Sequence, residues 1–221
     1  IKLIQNKLHQ KQFYTKNGIP TSPFIPTANK DEVMSQKDFL PFVNKLETEG
    51  YDGRGVQVIM SEQELEKAFE APSFVEQLVD FEVEIGVIVA RNEKGEIRSY
   101  PTVEMAFHPE KNLVEYLFSP ATLEKDIEKK AQEIAATIIE KLDMVGLLAV
   151  EMFVTKEGDV LVNEVAPRTH NSGHQTIEGN VTSQFEQHLR AILNMPLGDT
   201  STVIPTAMVN LLGEEGHTGQ A

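Results

Sequence analysis

Two glutamates, Glu151 and Glu164, lie on apolar segments that flank one Gly-containing turn. The segments Leu147–Val154 and Val160–Val165 are rich in Val, Leu and Phe, and two such runs separated by a short turn are typical of a β-hairpin. Carboxylate oxygens are the ligands that hard divalent cations prefer in proteins. The hairpin is therefore the first candidate for a chemical site, and the chemistry it suggests is metal binding.

The register of this hairpin decides whether the two carboxylates meet. With Glu157–Gly158 at the tip, the predicted pairing places Glu151 opposite Glu164 and Asn163 opposite Met152. Directly opposed side chains lie roughly 5 Å apart at Cβ, where like charges destabilise a sheet. A divalent cation between them is the obvious reason for such a pair. The alternative is that one strand is frayed, or that both glutamates point to solvent from a sheet edge.

A polar segment, residues 165–174, follows the second strand and carries Arg168, His170, Asn171 and His174. Such a segment buries little apolar area, so we expect a loop that holds a ligand, and its composition favours an anion. The spacing of the two histidines also suggests zinc. A zinc site with this spacing requires a helix, but the Asn-Ser-Gly sequence between the two histidines has low helix propensity. No third ligand presents itself either, so zinc is not predicted.

A second candidate for anion binding is the loop Gly50–Val56, which has three Gly in its first six positions. Glycine lets the backbone approach a ligand closely, and consecutive N–H groups can form an anion-binding nest. Lys45 on the preceding strand and Arg54 within the loop can each neutralise a phosphate. The pattern is neither a P-loop nor a dinucleotide fingerprint, so an ordinary hairpin loop is the alternative.

A third stretch, Ser73–Glu84, is an apolar run that joins two predicted units. Such a segment is a natural place for a flat adenine ring, because main-chain groups can pair with the edge of the base. Glu84 could then accept hydrogen bonds from ribose hydroxyls. The alternative is a plain strand with acidic residues at its outer positions.

Composition limits the class of protein. The chain has 221 residues, of which 40% are hydrophobic and 24% charged, and no run approaches the length of a membrane span. The net charge of −14 argues against nucleic acid as a partner, because phosphate contacts dominate that affinity. The lack of Cys excludes disulfides and thiolate metal sites, and it fits a cytoplasmic location.

Hydrophobic periodicity and capping residues predict an α+β fold. The predicted helices cover Lys2–Asn17, Lys30–Gln36, Ser61–Glu70, Thr122–Leu142 and Thr182–Leu193. Besides the central hairpin, the predicted strands cover Phe42–Leu46, Val56–Met60, Ser73–Leu78, Phe81–Ala90, Ile97–Met105, Asn112–Phe118 and Ser201–Leu212. The apolar side of the last helix is predicted to consist of Phe185, Leu189 and Ile192.

These stretches together resemble the ATP-grasp superfamily, and within it the N5-carboxyaminoimidazole ribonucleotide synthetases of purine biosynthesis, the ATPase subunits of phosphoribosylaminoimidazole carboxylase. The most specific sequence motifs are GYDGRG at 50–55, NEVAPRTHNSGH at 163–174 and TSQFEQHLRAILNMPLG at 182–198. The resemblance covers nearly the whole chain. It implies an ATP-grasp fold with a leading helix over residues 1–20, a small lid-like α+β unit over 21–75 and a larger antiparallel-sheet unit over 76–221. The family's flanking N-terminal domain and C-terminal segment lie outside the sequence.

The resemblance implies ATP and Mg²⁺ as cofactors, with ATP between the two units and the metal held by Glu151 and Glu164. The residues similar to the family's nucleotide site are Lys7, Lys45, Gly50, Tyr51, Asp52, Gly53, Arg54, Gly55, Val56, Glu76, Gln77, Leu78, Val79, Glu84, Asn163 and Glu164. Among them, the two lysines would meet phosphates, residues 76–79 would frame the adenine, and Glu84 would hold the ribose.

The reaction implied is the ATP-dependent carboxylation of 5-aminoimidazole ribonucleotide by bicarbonate through carboxyphosphate. Arg168, His170 and Asn171 are similar to the family's bicarbonate and imidazole site, and Tyr51 and Asp52 would face the acceptor. A homodimer is expected from the resemblance alone.

The sequence departs from the family pattern in two places. Glu47 and Glu49 replace the usual polar residues after the strand lysine, and the segment Glu104–His108 differs from the commoner Glu-Asn-x-His, which weakens a nucleotide role for His108.

Three other functions remain compatible with these residues. A formate-using ATP-grasp ligase, such as a glycinamide ribonucleotide transformylase, shares the Glu and Pro-Arg pattern but usually not the His-Asn-Ser-Gly-His run at 170–174. A biotin carboxylase shares bicarbonate chemistry, but its Glu-Met-Asn-Pro-Arg word is absent. A nucleotide-binding module without turnover is disfavoured, because Glu151, Glu164, Asn163, Arg168 and His170 occur together in one chain.

Overall fold

A computed structural model describes residues 2–48, 55–107 and 114–211. Within these ranges the chain forms two antiparallel sheets with packed helices, which confirms the predicted α+β class. No helix in the described ranges is long and apolar enough to cross a membrane.

The smaller sheet is built by the first part of the chain. Its strands are β1 (Phe24–Thr27), β2 (Phe42–Leu46), β3 (Val56–Ile59) and β4 (Ser73–Gln77), in the spatial order β1-β4-β2-β3. Its apolar face packs on the short helix α2 (Lys30–Met34) and on the 3₁₀ helices Lys37–Phe39 and Glu62–Lys67. The core between them consists of Val33, Phe42, Ile59, Leu65, Ala68 and Val75.

The larger sheet carries the central hairpin. Its strands are β5 (Phe81–Arg91), β6 (Ile97–Ser99), β7 (Val103–Phe107), β8 (Val114–Ser119), β9 (Gly146–Thr155), β10 (Val160–Ala166) and β11 (Thr206–Val209). They lie in the order β10-β9-β5-β7-β8-β11, and β6 also pairs with β5. The helices of this part are α3 (Lys125–Lys141), α4 (Thr176–Gly179) and α5 (Gln184–Ile192). Helix α3 lays Ala131, Ala135 and Ile138 into the main core, as its periodicity predicts.

The leading helix α1 (Lys7–Lys16) contacts both sheets. The Lys7 N–H donates to the Glu47 carbonyl at the end of β2, whereas Tyr14 belongs to the core of the larger sheet. The helix begins later than Lys2 because Asn6 is its N-cap, with Asn6 Oδ1 accepting from the His9 N–H at 2.8 Å.

Several predicted boundaries are wrong, each for a local reason. Helix α5 is capped by Ser183, since the Thr182 main chain instead accepts a hydrogen bond from the Tyr100 hydroxyl. The predicted capping box forms only in part, because Glu64 reaches the Met60 N–H and Ser61 makes no capping hydrogen bond, so a 3₁₀ helix results. The single strand predicted over Ile97–Met105 is two strands separated around Pro101, which lacks a ladder N–H.

The unit boundary that we expected between residues 75 and 76 lies inside β4, and the chain changes sheets after Gln77. The apolar side of α5 also differs from what amphipathicity suggests. Phe185, Leu189 and Ile192 are exposed, and the helix instead buries two polar side chains, Gln184 and Gln187.

Candidate active site

The two hairpin glutamates face each other, as the predicted register requires. Glu164 of β10 pairs with Glu151 of β9. The pairing predicted for Asn163 is wrong, because Val162 pairs with Met152 and Asn163 is the extra residue of a β-bulge. A bulge re-aims side chains next to it. Here the Asn163 side chain points to groups outside the hairpin.

A bridge of polar contacts connects this bulge to the smaller sheet. Asn163 Oδ1 accepts a 3.0 Å hydrogen bond from Lys45 Nζ of β2, and Asn163 Nδ2 lies 3.5 Å from Glu84 Oε1 of β5. Lys7 Nζ of α1 lies 3.4 Å from Glu164 Oε2. Of the two lysines assigned to phosphates, Lys7 therefore lies beside a carboxylate assigned to the metal, and Lys45 contacts the asparagine that precedes it.

Burial and like charge together perturb the carboxylates around the hairpin. Burial, Glu164 and Glu84 together raise the pKa of Glu151 to about 8. Burial also raises the pKa of Glu84 to about 7, although the Asn163 hydrogen bond and the Lys45 charge act in the opposite direction. The three carboxylates are therefore short of positive charge, and a divalent cation would relieve their repulsion.

The donor set fits Mg²⁺ bound together with phosphates. In the described ranges no cluster of three or more His, Asp or Glu is arranged as a metal site. Mg²⁺ is commonly held by one or two carboxylates together with substrate phosphates and waters. The side chain of Glu151 is 13% exposed and that of Glu164 is 46% exposed, so at least one carboxylate is open to such a ligand.

The polar segment after β10 folds back over the glutamates. His170 Nε2 lies 3.7 Å from Glu151 Oε1, and His170 Nδ1 is within 2.9 Å of Ser172 Oγ. Asn171 begins a 3₁₀ turn. Arg168 is exposed and donates to the Thr169 carbonyl at 3.0 Å, yet its charge acts on Glu151, which places it near the same carboxylate.

Two residues that the sequence reasoning missed hold this segment. Gln184 Nε2 lies 2.9 Å from His174 Nδ1, and its amide also bonds the main chain of His170. Gly173 packs so closely that an added Cβ would lie 2.5 Å from Gln184 Oε1. A glutamine at the first turn of a helix carries no signal of burial, so only the specific sequence word at 182–198 could have pointed to it.

The stretch assigned to adenine crosses between the two sheets. Glu76 is buried, its side chain faces two lysines, and its main chain lies in β4 between β1 and β2, so it is already engaged in the sheet. The N–H groups of Gln77 and Leu78 donate to the carbonyls of Pro23 and Pro41. The remaining main-chain groups of residues 76–79 are thus the candidates for pairing with a base edge.

Part of the glycine-rich loop lies outside the described residues. The residues of the loop outside the described ranges are Gly50, Tyr51, Asp52, Gly53 and Arg54. Glu49, which precedes the loop, and His108, elsewhere in the chain, also lie outside these ranges. At the end of the loop, Gly55 has a φ of +72°, a conformation that favours glycine, and its carbonyl accepts from the Leu46 N–H at 2.9 Å. Val56 then pairs with Lys45, so the loop ends beside the lysine assigned to phosphate.

Comparisons with known proteins identify the family of the chain. A family model described as "ATP-grasp domain" matches residues 12–185. The N5-carboxyaminoimidazole ribonucleotide synthase of Bacillus subtilis is 42% identical over 219 residues, which are 96% of this chain and 57% of the relative. A phosphoribosylaminoimidazole carboxylase of Ogataea methanolica is 37% identical, over 100% of this chain and 42% of the relative.

Solved structures of the same enzyme are also similar. The N5-carboxyaminoimidazole ribonucleotide synthetase of Thermotoga maritima has a TM-score of 0.86 at 46% identity, over 97% of this chain and 56% of that one. An Aspergillus clavatus synthase, solved in complex with ADP and 5-aminoimidazole ribonucleotide, has a TM-score of 0.87 at 33% identity, over 97% and 58% of the two chains. The chain thus spans between 42% and 58% of the length of these relatives. On the match to residues 12–185, the chain belongs to the ATP-grasp family.

Proposed function

We propose that the protein carboxylates 5-aminoimidazole ribonucleotide with ATP and bicarbonate, giving N5-carboxyaminoimidazole ribonucleotide, ADP and phosphate in purine biosynthesis. The observation that carries this proposal is the convergence of Lys45, Asn163 and the Glu151–Glu164 pair with the segment around His170. One side of this cluster suits a nucleotide phosphate, and the other side offers a cationic loop to a second anion. The names of the similar proteins support the same reaction.

In this proposal Lys7 and Lys45 bind the phosphates of ATP, and residues 50–56 close over them. Glu151 and Glu164 hold Mg²⁺, which when bound offsets the charge that grows on the transferred phosphoryl group. The main chain of residues 76–79 frames the adenine and Glu84 accepts from the ribose. The small unit acts as the lid of the larger one.

The chemical step begins when a bicarbonate oxygen attacks the γ-phosphorus of ATP and ADP leaves, which forms carboxyphosphate. Arg168, His170 and Asn171 hold the bicarbonate and then the imidazole of the acceptor. The exocyclic amine takes up the carboxyl group and phosphate is released. Tyr51 and Asp52 face the acceptor. Carboxyphosphate hydrolyses easily, so the closed loop must also exclude water.

The assembly and location are part of the same proposal. We infer a homodimer from the resemblance to the family, and a cytoplasmic location from the lack of Cys. Sedimentation velocity of the protein would measure the first, and a single species with the mass of one chain would contradict it.

The test is ADP release in the presence of Mg-ATP, with bicarbonate and each acceptor added in turn. We expect stimulation by 5-aminoimidazole ribonucleotide that depends on bicarbonate. Stimulation by formate with glycinamide ribonucleotide, or by biotin, would instead assign the protein to another ATP-grasp ligase. Nucleotide binding without acceptor-dependent turnover under any condition would contradict the proposal and favour a binding module.

A further inference from the structure

Lys11 of α1 is a buried cation that the proposed nucleotide site does not use. Its exposure is 2%, and its ammonium group contacts Thr21 Oγ1 at 2.6 Å, Ser22 Oγ at 3.0 Å and Glu76 Oε1 at 2.7 Å. The Ser22 hydroxyl donates to the same carboxylate oxygen. A lysine is almost never buried this deeply without a specific partner, and here the partner is Glu76.

The second oxygen of Glu76 faces a different lysine. Glu76 Oε2 lies 3.1 Å from Lys45 Nζ, yet it has no hydrogen bond from any residue in the described ranges. Lys45 instead directs a hydrogen bond to Asn163 Oδ1. The carboxylate therefore bonds to Lys11 through one oxygen and attracts Lys45 by charge through the other.

The charges of this cluster do not cancel. Two lysines share one carboxylate, which leaves one net positive charge, and that charge lies on the side that faces the hairpin glutamates. Burial alone would raise the pKa of Glu76, but Lys45 and Lys11 outweigh it and hold the pKa at about 2. Without Lys11, Glu76 would have Lys45 as its sole cationic neighbour and would neutralise it.

We propose that Lys11 is a positioning residue for the nucleotide site: it neutralises Glu76, so that the carboxylate orients Lys45 without cancelling the charge that Lys45 offers to a nucleotide phosphate. The inference rests on the proposed function, since it requires a nucleotide at Lys45. It assigns a role to a side chain that lies too deep to touch the nucleotide itself.

Lys11→Met tests this role. We measure the dissociation constant of a non-hydrolysable ATP analogue with Mg²⁺ by calorimetry, and we expect it to rise about tenfold, a loss of about 1.4 kcal/mol. The decisive variant is the double change Lys11→Met with Glu76→Gln, which removes one positive and one negative charge. Because Lys45 then keeps its charge, we expect the affinity to return to within about threefold of wild type.

A purely structural role of Lys11 predicts that the double variant does not recover affinity for the ATP analogue. If Lys11 and Glu76 only supported the fold, the double variant would bind the analogue no better than Lys11→Met, and that result would overturn the proposal. Should Lys11→Met fail to fold, the double variant, which removes both members of the Lys11–Glu76 ion pair, still decides: near-native affinity supports the proposal and a tenfold loss overturns it.

Two further variants separate this inference from the proposed function. Lys156→Met breaks an exposed ion pair with Asp80 and is the control for loss of a lysine, so it should leave the affinity unchanged. Lys45→Met should weaken binding by itself. Unchanged affinity in Lys45→Met would contradict the proposed nucleotide site, whereas weak binding in Lys45→Met with normal binding in Lys11→Met would overturn only the role of Lys11.

Discussion

The side-chain amide of Gln184 bonds to both main-chain polar groups of His170. Gln184 Oε1 accepts from the His170 N–H at 2.9 Å, and Gln184 Nε2 donates to the His170 carbonyl at 2.8 Å. His170 in turn lies 3.7 Å from Glu151. A completely buried side chain on α5 thus fixes the backbone of the loop that approaches the carboxylate pair, which explains why this helix buries a glutamine.

Gln184→Met tests that link. It keeps the length of the side chain and removes both hydrogen bonds to His170 together with the contact to His174, so we expect the free energy of unfolding to fall by about 2 kcal/mol. We also expect acceptor-dependent ADP release to fall about tenfold or more while the dissociation constant for Mg-ATP stays within about twofold. The reason is that a small displacement of a catalytic loop lowers the reaction rate more than it lowers nucleotide affinity.

The chain offers a matched control for this change. Gln187 is equally buried and makes the same two bonds to Gly198, accepting from its N–H at 2.8 Å and donating to its carbonyl at 3.1 Å. Gln187→Met should cost similar stability and leave turnover of the folded protein intact. Equal loss of turnover in both variants would mean that lower turnover reflects impaired folding. The hydrogen bonds between Gln184 and His170 would then have no role in catalysis.

A second prediction concerns the carboxylate pair. Glu164→Gln keeps the strand pairing and removes half of the charge that faces a cation. We expect Mg²⁺-dependent nucleotide affinity to fall at least about tenfold. The free energy of unfolding of the unliganded protein should stay the same or rise by up to about 1 kcal/mol, because repulsion with Glu151 is relieved.

Glu151→Gln should behave in the same way, and Glu157→Gln at the exposed hairpin turn is the control that removes a carboxylate outside the site. Calorimetric titration with and without Mg²⁺ gives the affinities, and urea unfolding gives the stability. Wild-type Mg-ATP affinity in both Glu151→Gln and Glu164→Gln would exclude the pair as the metal site.

A third prediction separates the nucleotide from the bicarbonate. Lys45→Met removes a charged phosphate partner and should raise the dissociation constant for Mg-ATP at least about tenfold. Arg168→Ala should leave that constant within about twofold and lower bicarbonate-dependent turnover about a hundredfold, because its exposed guanidinium belongs to the segment proposed to hold bicarbonate.

Arg190→Ala, which breaks an exposed ion pair with Glu186 on α5, controls for the loss of an arginine. Titration for binding and ADP release for turnover are the two readouts. If Arg168→Ala lost Mg-ATP as severely as Lys45→Met, the two sides of the site would not be separate.

The two strands of the hairpin and the Glu151–Glu164 pair were predictable from the sequence, and the bulge was not. The three pairs nearest the turn are shifted by one residue from the predicted register, and the bulge restores the predicted pairing at Glu164. An extra residue in a strand leaves no mark in an apolar pattern, so the departure of Asn163 toward Lys45 could be seen only in three dimensions.

Burial of polar side chains was likewise hidden. Lys11 lies in a helix whose sequence is polar on most sides, and Gln184 lies beside an apolar stripe that turned out to be exposed. Both are buried because of partners far along the chain, Glu76 and His170, and no local propensity encodes a partner of that kind. The sequence therefore identifies the groups that do chemistry more readily than the groups that position them.

The last prediction uses the depressed pKa of Glu76. Its pKa is held at about 2 against an ordinary value of 4.5. A carboxylate whose pKa is lower in the folded than in the unfolded state adds stability that is present above about pH 4.5 and lost as the pH falls toward 2. Between pH 5 and pH 3 this single group should therefore remove about 2 kcal/mol from the free energy of unfolding.

Glu76→Gln cannot titrate, so its free energy of unfolding, although lower at pH 5, should fall less steeply over the same interval. Urea unfolding of both proteins at pH 5, 4 and 3 gives the two slopes. Glu62→Gln, which removes an exposed carboxylate paired with Lys37, is the control and should keep the wild-type slope, since such surface pairs contribute little. Parallel slopes for wild type and Glu76→Gln would show that Lys11 and Lys45 do not hold this carboxylate in its charged form, and the charge argument for Lys11 would lose its basis.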